Sequence, residues 1–186
     1  NYIRISLEMI LLMTMKILQL NCEIINVAYK DGGKIVEETA TPEEKRPKRP
    51  VVEGKYKNNT LDTVSSALWA RKHIKELVAA NSSYPQKFTM PVFDGRRRFD
   101  VDITINGYKK KKYQGKTQEL LEIVFFRKPV NGFNEKELSR MKEQDPTVIF
   151  YLNSDYIPVL GTGSAPFGKA DFELVSYCQS VDIACK

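Results

Sequence analysis

The sequence predicts a mainly β domain of the α+β class, a curved antiparallel sheet or open half-barrel wrapped around one main helix. Three observations carry that prediction. Between Arg98 and Ile105, apolar Phe99, Val101, Ile103 and Ile105 alternate with Arg98, Asp100, Asp102 and Thr104, the period of two expected of a strand with one covered face. Turn dipeptides such as Asp94-Gly95 and Asn106-Gly107 punctuate segments of this kind. A single long stretch, between Thr60 and Ser83, spaces its apolar residues by three and four.

Taken in order, residues 2–38 read as strands. The apolar run ISLEMILLMTMKILQL is interrupted by Glu8 and Lys16, has no small-residue cleavage site after it, and is shorter than the roughly 20 residues of a membrane span. A pair of core strands or a buried helix is expected there, and no transmembrane span. The chain starts at Asn1, so an upstream portion is expected to be missing. Ile24, Ile25, Val27 and Tyr29 lead into Asp31-Gly32-Gly33, with Ile35 and Val36 following, which predicts a hairpin. Residues 39–59 combine prolines with charges and carry no apolar period, so an extended surface linker is expected.

The helix follows, with Leu61, Val64, Leu68, Arg71 or Lys72, Lys75 and Val78 marking out one face, reinforced by Ala67, Ile74 and Leu77. Thr60 or Asp62 caps its start, and Asn81-Ser82-Ser83 before Tyr84-Pro85 ends it. Strands resume at KFTMPVF. They continue past Asp94-Gly95 through RRFDVDITI to a hairpin at Asn106-Gly107, then YKKKKYQG and KTQELLEIVFFRK as a meander. The stretch from Pro129 to Pro146 predicts a short exposed helix, TVIFYL and YIPVL flank a turn at Asn153-Ser154-Asp155, a glycine-rich loop spans Gly161 to Gly168, and KADFELVSY is a last strand. The whole of 1–186 is expected to form one β-rich domain, with 178–186 as a tail.

Composition narrows the function classes. With 42% hydrophobic and 10% aromatic residues the chain has the material for a core and lacks the signature of a disordered polymer. A net charge of +6 favours encounter with acidic partners, but the basic residues are dispersed along the chain. Cysteines 22, 178 and 185 include no pair with metal-binding spacing, and His73 is the sole histidine, so no metal site is expected. Cys178 and Cys185 are a candidate disulfide in an exported protein, which would leave Cys22 free. No catalytic residues and no cofactor are predicted: His73 has a packing or surface role, and Asp100 and Asp102 face solvent without cause for a shifted pKa. GTGSAPFG lacks the Gly-Lys-Ser/Thr ending of a phosphate loop.

The sharpest local feature is the turn Asp94-Gly95 followed by Arg96, Arg97 and Arg98. Asp94 and Gly95 form the bend, Arg97 shares a face with Phe99 and reaches a carboxylate, and Arg96 and Arg98 face water. The second reading makes these arginines a ligand or partner contact for an anionic group. Nucleic acid is disfavoured because the neighbouring aromatics alternate inward and offer no stacking platform. Lys109, Lys110, Lys111 and Lys112 form the other candidate binding surface.

The blocks TLDTVSSALWARK, MPVFDGRRRFDVDI, IVFFRKPVNGF, VIFYLNSDYIPVL and APFGKADFELVSY resemble, in order, the bacterial family known as domain of unknown function 3108. The resemblance covers residues 24–177, and its most specific points are Leu61, Asp62, Ser66 and Ala67 at the helix start and the Phe-Asp-Gly-Arg-Arg turn. It implies a curved sheet over a helix, a periplasmic location in Gram-negative bacteria, and no established activity or cofactor. If the turn is a family feature beside the helix, as the resemblance implies, the simplest partner for one of the arginines is Asp62 or the carbonyls at the helix end. The family's N-terminal signal and early strands are reduced or absent here, and the tail has no counterpart. The function expected on these grounds is that of a non-enzymatic envelope protein, a binding or assembly module and accessory subunit of a larger complex, with a protein partner. The alternative is a carrier of lipid or another hydrophobic ligand, in a cavity lined by Phe99, Val101, Ile103, Phe125 and Phe150, by fold analogy with envelope lipoprotein carriers.

Overall fold

The computed structural model describes residues 3–5, 24–30, 34–41, 50–80, 83–143, 147–165 and 168–175. Its main sheet takes β1 (Ile3–Ile5), β4 (Gln86–Phe93), β5 (Arg98–Tyr113), β6 (Lys116–Asn131), β7 (Thr147–Leu152), β8 (Pro158–Ala165) and β9 (Gly168–Leu174). The order across it is β1-β9-β8-β7-β6-β5-β4, antiparallel throughout except for β1 beside β9, and the sheet is open. A separate antiparallel pair, β2 (Ile24–Lys30) and β3 (Lys34–Thr41), is the expected hairpin, although its turn lies outside the described residues. The apolar run from Ser6 to Leu20 also lies outside them.

Two helices bracket the β4–β6 run in sequence and pack on the sheet: α2 (Thr63–Ala80), which follows the single turn α1 (Gly54–Lys57), and α3 (Glu135–Glu143). The 39–59 linker is therefore not wholly extended. β3 runs to Thr41, α1 takes one turn, and Val52 is 4% exposed because its side chain fills the space above Gly132.

α2 begins where Asp62 accepts hydrogen bonds from the backbone N–H of Val64 at 2.8 Å and of Ser65 at 2.9 Å. Burial acts to raise the Asp62 carboxyl, but the hydrogen bonds from Ser65 and Val64 outweigh it and hold it below the usual carboxylate range. A depressed folded-state value means that the cap stabilises the fold above that range and is lost as pH falls through it. Asp62→Ala is accordingly expected to lower stability by about 1 kcal/mol at neutral pH. The gap to wild type in thermal melts should close on acidification below the carboxylate range; a gap that stays constant would refute the cap.

The buried face of α2 matches the predicted one only at Ile74, Leu77 and Val78. Ser66, Ala70 and Ile74 face the sheet, while Val64 is 52% and Leu68 65% exposed. The reason lies in the preceding residue: the N–H of Leu61 donates to Pro91 O, and the N–H of Phe93 donates to Leu61 O, so Leu61 pairs with the edge of β4 and sets the roll of the helix. Pro91 is tolerated because its carbonyl, and with it the position of its missing N–H, points off the sheet edge. Small Ser66 and Ala70 let the helix approach closely, and Ile74 joins Met90, Val92, Ile103, Ile105 and Ile123 in the main core.

Asn106-Gly107 is not a hairpin. β5 runs straight through it, with a bulge that leaves Asn106 without a Cα partner between the pairs Ile105↔Ile123 and Gly107↔Glu122. Gly107 has φ +90, and a Cβ there would lie 2.9 Å from Tyr84 Cδ2, so the glycine serves the bulge and the tyrosine packed on it. The hairpin turn is Gln114-Gly115, both at positive φ. The extra residue shifts the alternation: Phe99, Ile103 and Ile105 face the main core, whereas beyond the bulge it is Tyr113 that is buried, in a second cluster with Leu120, Tyr151 and Leu174.

The β5–β6 tip shows that the sheet curls. On a flat sheet β5 and β9 would stand about 19 Å apart, four strand spacings. Instead the Tyr113 hydroxyl donates to Leu174 O at 3.0 Å, and Gln114 N–H donates to Glu173 Oε1 at 3.2 Å. The predicted glycine-rich loop is largely strand as well, since Gly161 pairs with Phe172 and leaves room for its ring, which a Cβ would meet at 1.9 Å. Phe172 thereby stacks beside Phe150 at 5.2 Å, and Phe150 beside Phe125 at 5.2 Å.

Candidate functional site

The arginine turn is organised by one carboxylate. Asp94 Oδ1 accepts the backbone N–H of Arg96 at 3.0 Å and of Arg97 at 2.7 Å, while Gly95 takes φ +88 to close the bend. Asp94 Oδ2 accepts Arg97 Nε at 2.8 Å and Nη2 at 2.7 Å. The same guanidinium reaches α3, where Nη1 donates to Glu137 Oε1 at 3.3 Å.

Glu137 is held for this purpose by the start of α3. Asn134 Oδ1 accepts the N–H of Glu137 at 2.9 Å, and Glu137 Oε2 accepts the N–H of Asn134 at 3.0 Å, a reciprocal capping box. Arg97 thus ties the turn to α3 and not to Asp62 or the end of α2, as the sequence suggested; Asp62 is occupied by the cap of α2. Arg98 also departs from expectation. Its side chain is 12% exposed, Nη2 pairs with Asp100 Oδ1 at 2.8 Å, and it lies on the face shared with Asp100 because β5 already has strand alternation there. Arg96 is half-buried.

Arg127, which the sequence reading passed over, stands beside this cluster. It pairs in register with Val101, and its guanidinium carbon lies 5.5 Å from the Phe99 ring centroid. Its side chain is exposed, yet desolvation by the surrounding protein, followed by the nearby Arg97 charge, lowers its pKa, opposed by Asp94 and Glu137. Its signal in the sequence was only the alternation of Ile123, Phe125 and Arg127 on one strand face.

The lysine hairpin lies at the far end of β5, 11 to 14 residues and so roughly 36–46 Å along the strand from Arg98. Beyond the bulge Lys109 and Lys111 align with Leu120 and Gln118, and Lys110 and Lys112 with Glu119 and Thr117, so the four lysines divide between two faces. Lys111 Nζ lies 4.4 Å from the Tyr151 ring centroid. The two basic runs therefore do not merge into one surface.

His73 stacks on Trp69 at 4.7 Å and meets Phe88 edge-on at 4.7 Å. Asp102 corrects the expectation of an unshifted carboxyl: hydrogen bonds from Lys128 and Thr89 hold it below the usual range despite some burial. Cys22, Cys178 and Cys185 lie outside the described residues. Among the described residues there is no group of three His, Cys, Asp or Glu side chains placed to hold a metal, and no helix long and apolar enough to cross a membrane.

Of the side chains expected to line a cavity, Phe99 is 8% and Ile103 0% exposed, packed with Ala70 and Ile74 of α2, while Phe125 and Phe150 pack against the same core. On the outer side of α2, Val64, Leu68 and Trp69 remain open, Trp69 at 38% exposure.

Comparison with known proteins gives one family. The model of a protein of unknown function (DUF3108) matches residues 23–175. No curated protein and no solved structure gives a significant match.

Proposed function

The chain belongs to the DUF3108 family, and from that premise we propose that it is a non-enzymatic binding or assembly module of the bacterial periplasm, an accessory subunit that docks a protein partner. The observation that carries this reading is the second apolar stripe of α2. A helix already buried through Ser66, Ala70 and Ile74 presents Val64 and Leu68 to solvent at 52% and 65% exposure, and the stripe continues into exposed Lys72 and Lys75. Exposed apolar residues on a rigid, packed helix with a cationic end suit an acidic-rimmed protein surface. The carrier reading is the weaker one, because the side chains assigned to a cavity fill the space between sheet and helix.

The test is native mass spectrometry of the full-length protein gently extracted from its source envelope fraction. A stoichiometric second chain is expected for wild type and is expected to be lost in Val64→Ser/Leu68→Glu. The variant should melt within about 2 °C of wild type, since exposed substitutions usually stay within about 0.5 kcal/mol. A bare monomer would overturn the reading, and a heterogeneous lipid-sized mass increment would promote the carrier. Recovery in a cytoplasmic fraction would refute the proposed location.

A further inference from the structure

We propose that Arg127 is the receiving group of an oxyanion site, floored by the Phe99 ring and flanked by the Arg97 guanidinium, that takes a phosphate or carboxylate.

Two guanidinium groups and two carboxylates meet here, which would suggest mutual neutralisation. The oxygens are unevenly shared, however. Asp94 Oδ1 is occupied by two backbone N–H groups and Oδ2 by two nitrogens of Arg97. Glu137 Oε1 is taken by Arg97 and Oε2 by the N–H of Asn134. Every carboxylate oxygen thus already has a donor, and the donors of Arg127 have no carboxylate partner among the described residues.

Three features fit this group to an anion. The Phe99 ring supports the guanidinium at 5.5 Å. Arginine presents its N–H groups as a planar fork matched to two oxygens of a phosphate or carboxylate. Arg97, fixed by its two carboxylates, adds a second positive group nearby; desolvation first and this charge second lower the Arg127 pKa, against the opposing pull of Asp94 and Glu137, and an arriving anion would relieve both. Among the described residues Arg127 makes no ion pair, and its side chain is exposed and so accessible to a ligand.

The site uses no residue of the α2 stripe, so its failure and that of the proposed partner surface are separable. The probe is inorganic phosphate at low ionic strength, followed by backbone amide chemical shifts. Saturable shifts centred on Phe99, Arg127 and Arg97 are expected, weakening with added sodium chloride. Arg127→Gln should weaken binding at least tenfold with its melting temperature within a few degrees of wild type, and Arg127→Lys should keep part of the affinity because the charge survives without the fork. Lys128→Gln, on the opposite strand face, should bind as wild type does. A short-chain anionic phospholipid below its micelle concentration that binds more tightly than phosphate identifies a lipid headgroup as the source, and equal or weaker binding identifies a free oxyanion. Absence of saturable shifts with phosphate, acetate and the phospholipid, or unchanged affinity in Arg127→Gln, would overturn the site.

Discussion

Gly132→Ala is expected to destabilise the protein by on the order of 3 kcal/mol, a fall in melting temperature of roughly 6–12 °C for a chain of this size. Gly132 follows β6 at φ +80, and a Cβ built there lies 2.4 Å from the carbonyl oxygen of Arg96 and 2.5 Å from Val52 Cγ2. Two penalties combine. A residue with a side chain in the left-handed region pays about 1–2 kcal/mol in backbone strain. The clash with Arg96 falls on backbone, which cannot rotate away, so the arginine turn itself must shift, adding about 1–3 kcal/mol. Gly115→Ala is the control: its φ is +77, but nothing lies within 4 Å of its Cβ, so it carries the strain alone. Thermal unfolding followed by circular dichroism compares the two, and an equal loss in both would remove the argument that Gly132 is a contact point between the turn, Val52 and β6.

The comparison of glycines also bears on what the sequence could show. Strands, the long helix, α3 and the Asp94-Gly95 bend were legible because each rests on local period or turn chemistry. Asn106-Gly107 misled for the same reason, since the dipeptide allows positive φ but does not say whether it serves a turn or a bulge. That choice is settled by Tyr84, packed over Gly107 from the bend that precedes β4, and by Gln114-Gly115 supplying the turn eight residues later. The roll of α2 was likewise nonlocal. The more apolar start of the helix, Val64 and Leu68, faces solvent while Ser66 and Ala70 are buried, and the pairing of Leu61 with β4 sets that roll.

The candidate site followed the same division. Arg97 reaching a carboxylate was legible from its parity with Phe99, but its partner was not, because Glu137 arrives from a helix 40 residues away. Arg127 left almost no mark: it is one arginine at a strand end, with no run to attract notice. Its role follows from the acceptors that Arg97 has already taken, which is a property of three segments at once.

Arg97→Ala should therefore be the most damaging change in the arginine run, by on the order of 3 kcal/mol and roughly 6–12 °C in melting temperature. The Arg97 side chain is 31% exposed, and its partners Asp94 and Glu137 are 16% and 17% exposed. The carboxylates are thus less accessible than the cation that serves them. Removing the guanidinium leaves two partly desolvated negative charges facing each other, and the loss exceeds that of an exposed salt bridge, about 0–1 kcal/mol. Arg97→Lys should recover only part, since an ammonium cannot serve Asp94 through two nitrogens and Glu137 through a third. A cycle with Glu137→Gln should show coupling of about 0.5–3 kcal/mol. An unchanged melting temperature in Arg97→Ala would mean that this arginine does not join the turn to α3; it would then stand beside Arg127 as a second free cation, and the oxyanion would have two receivers in place of one.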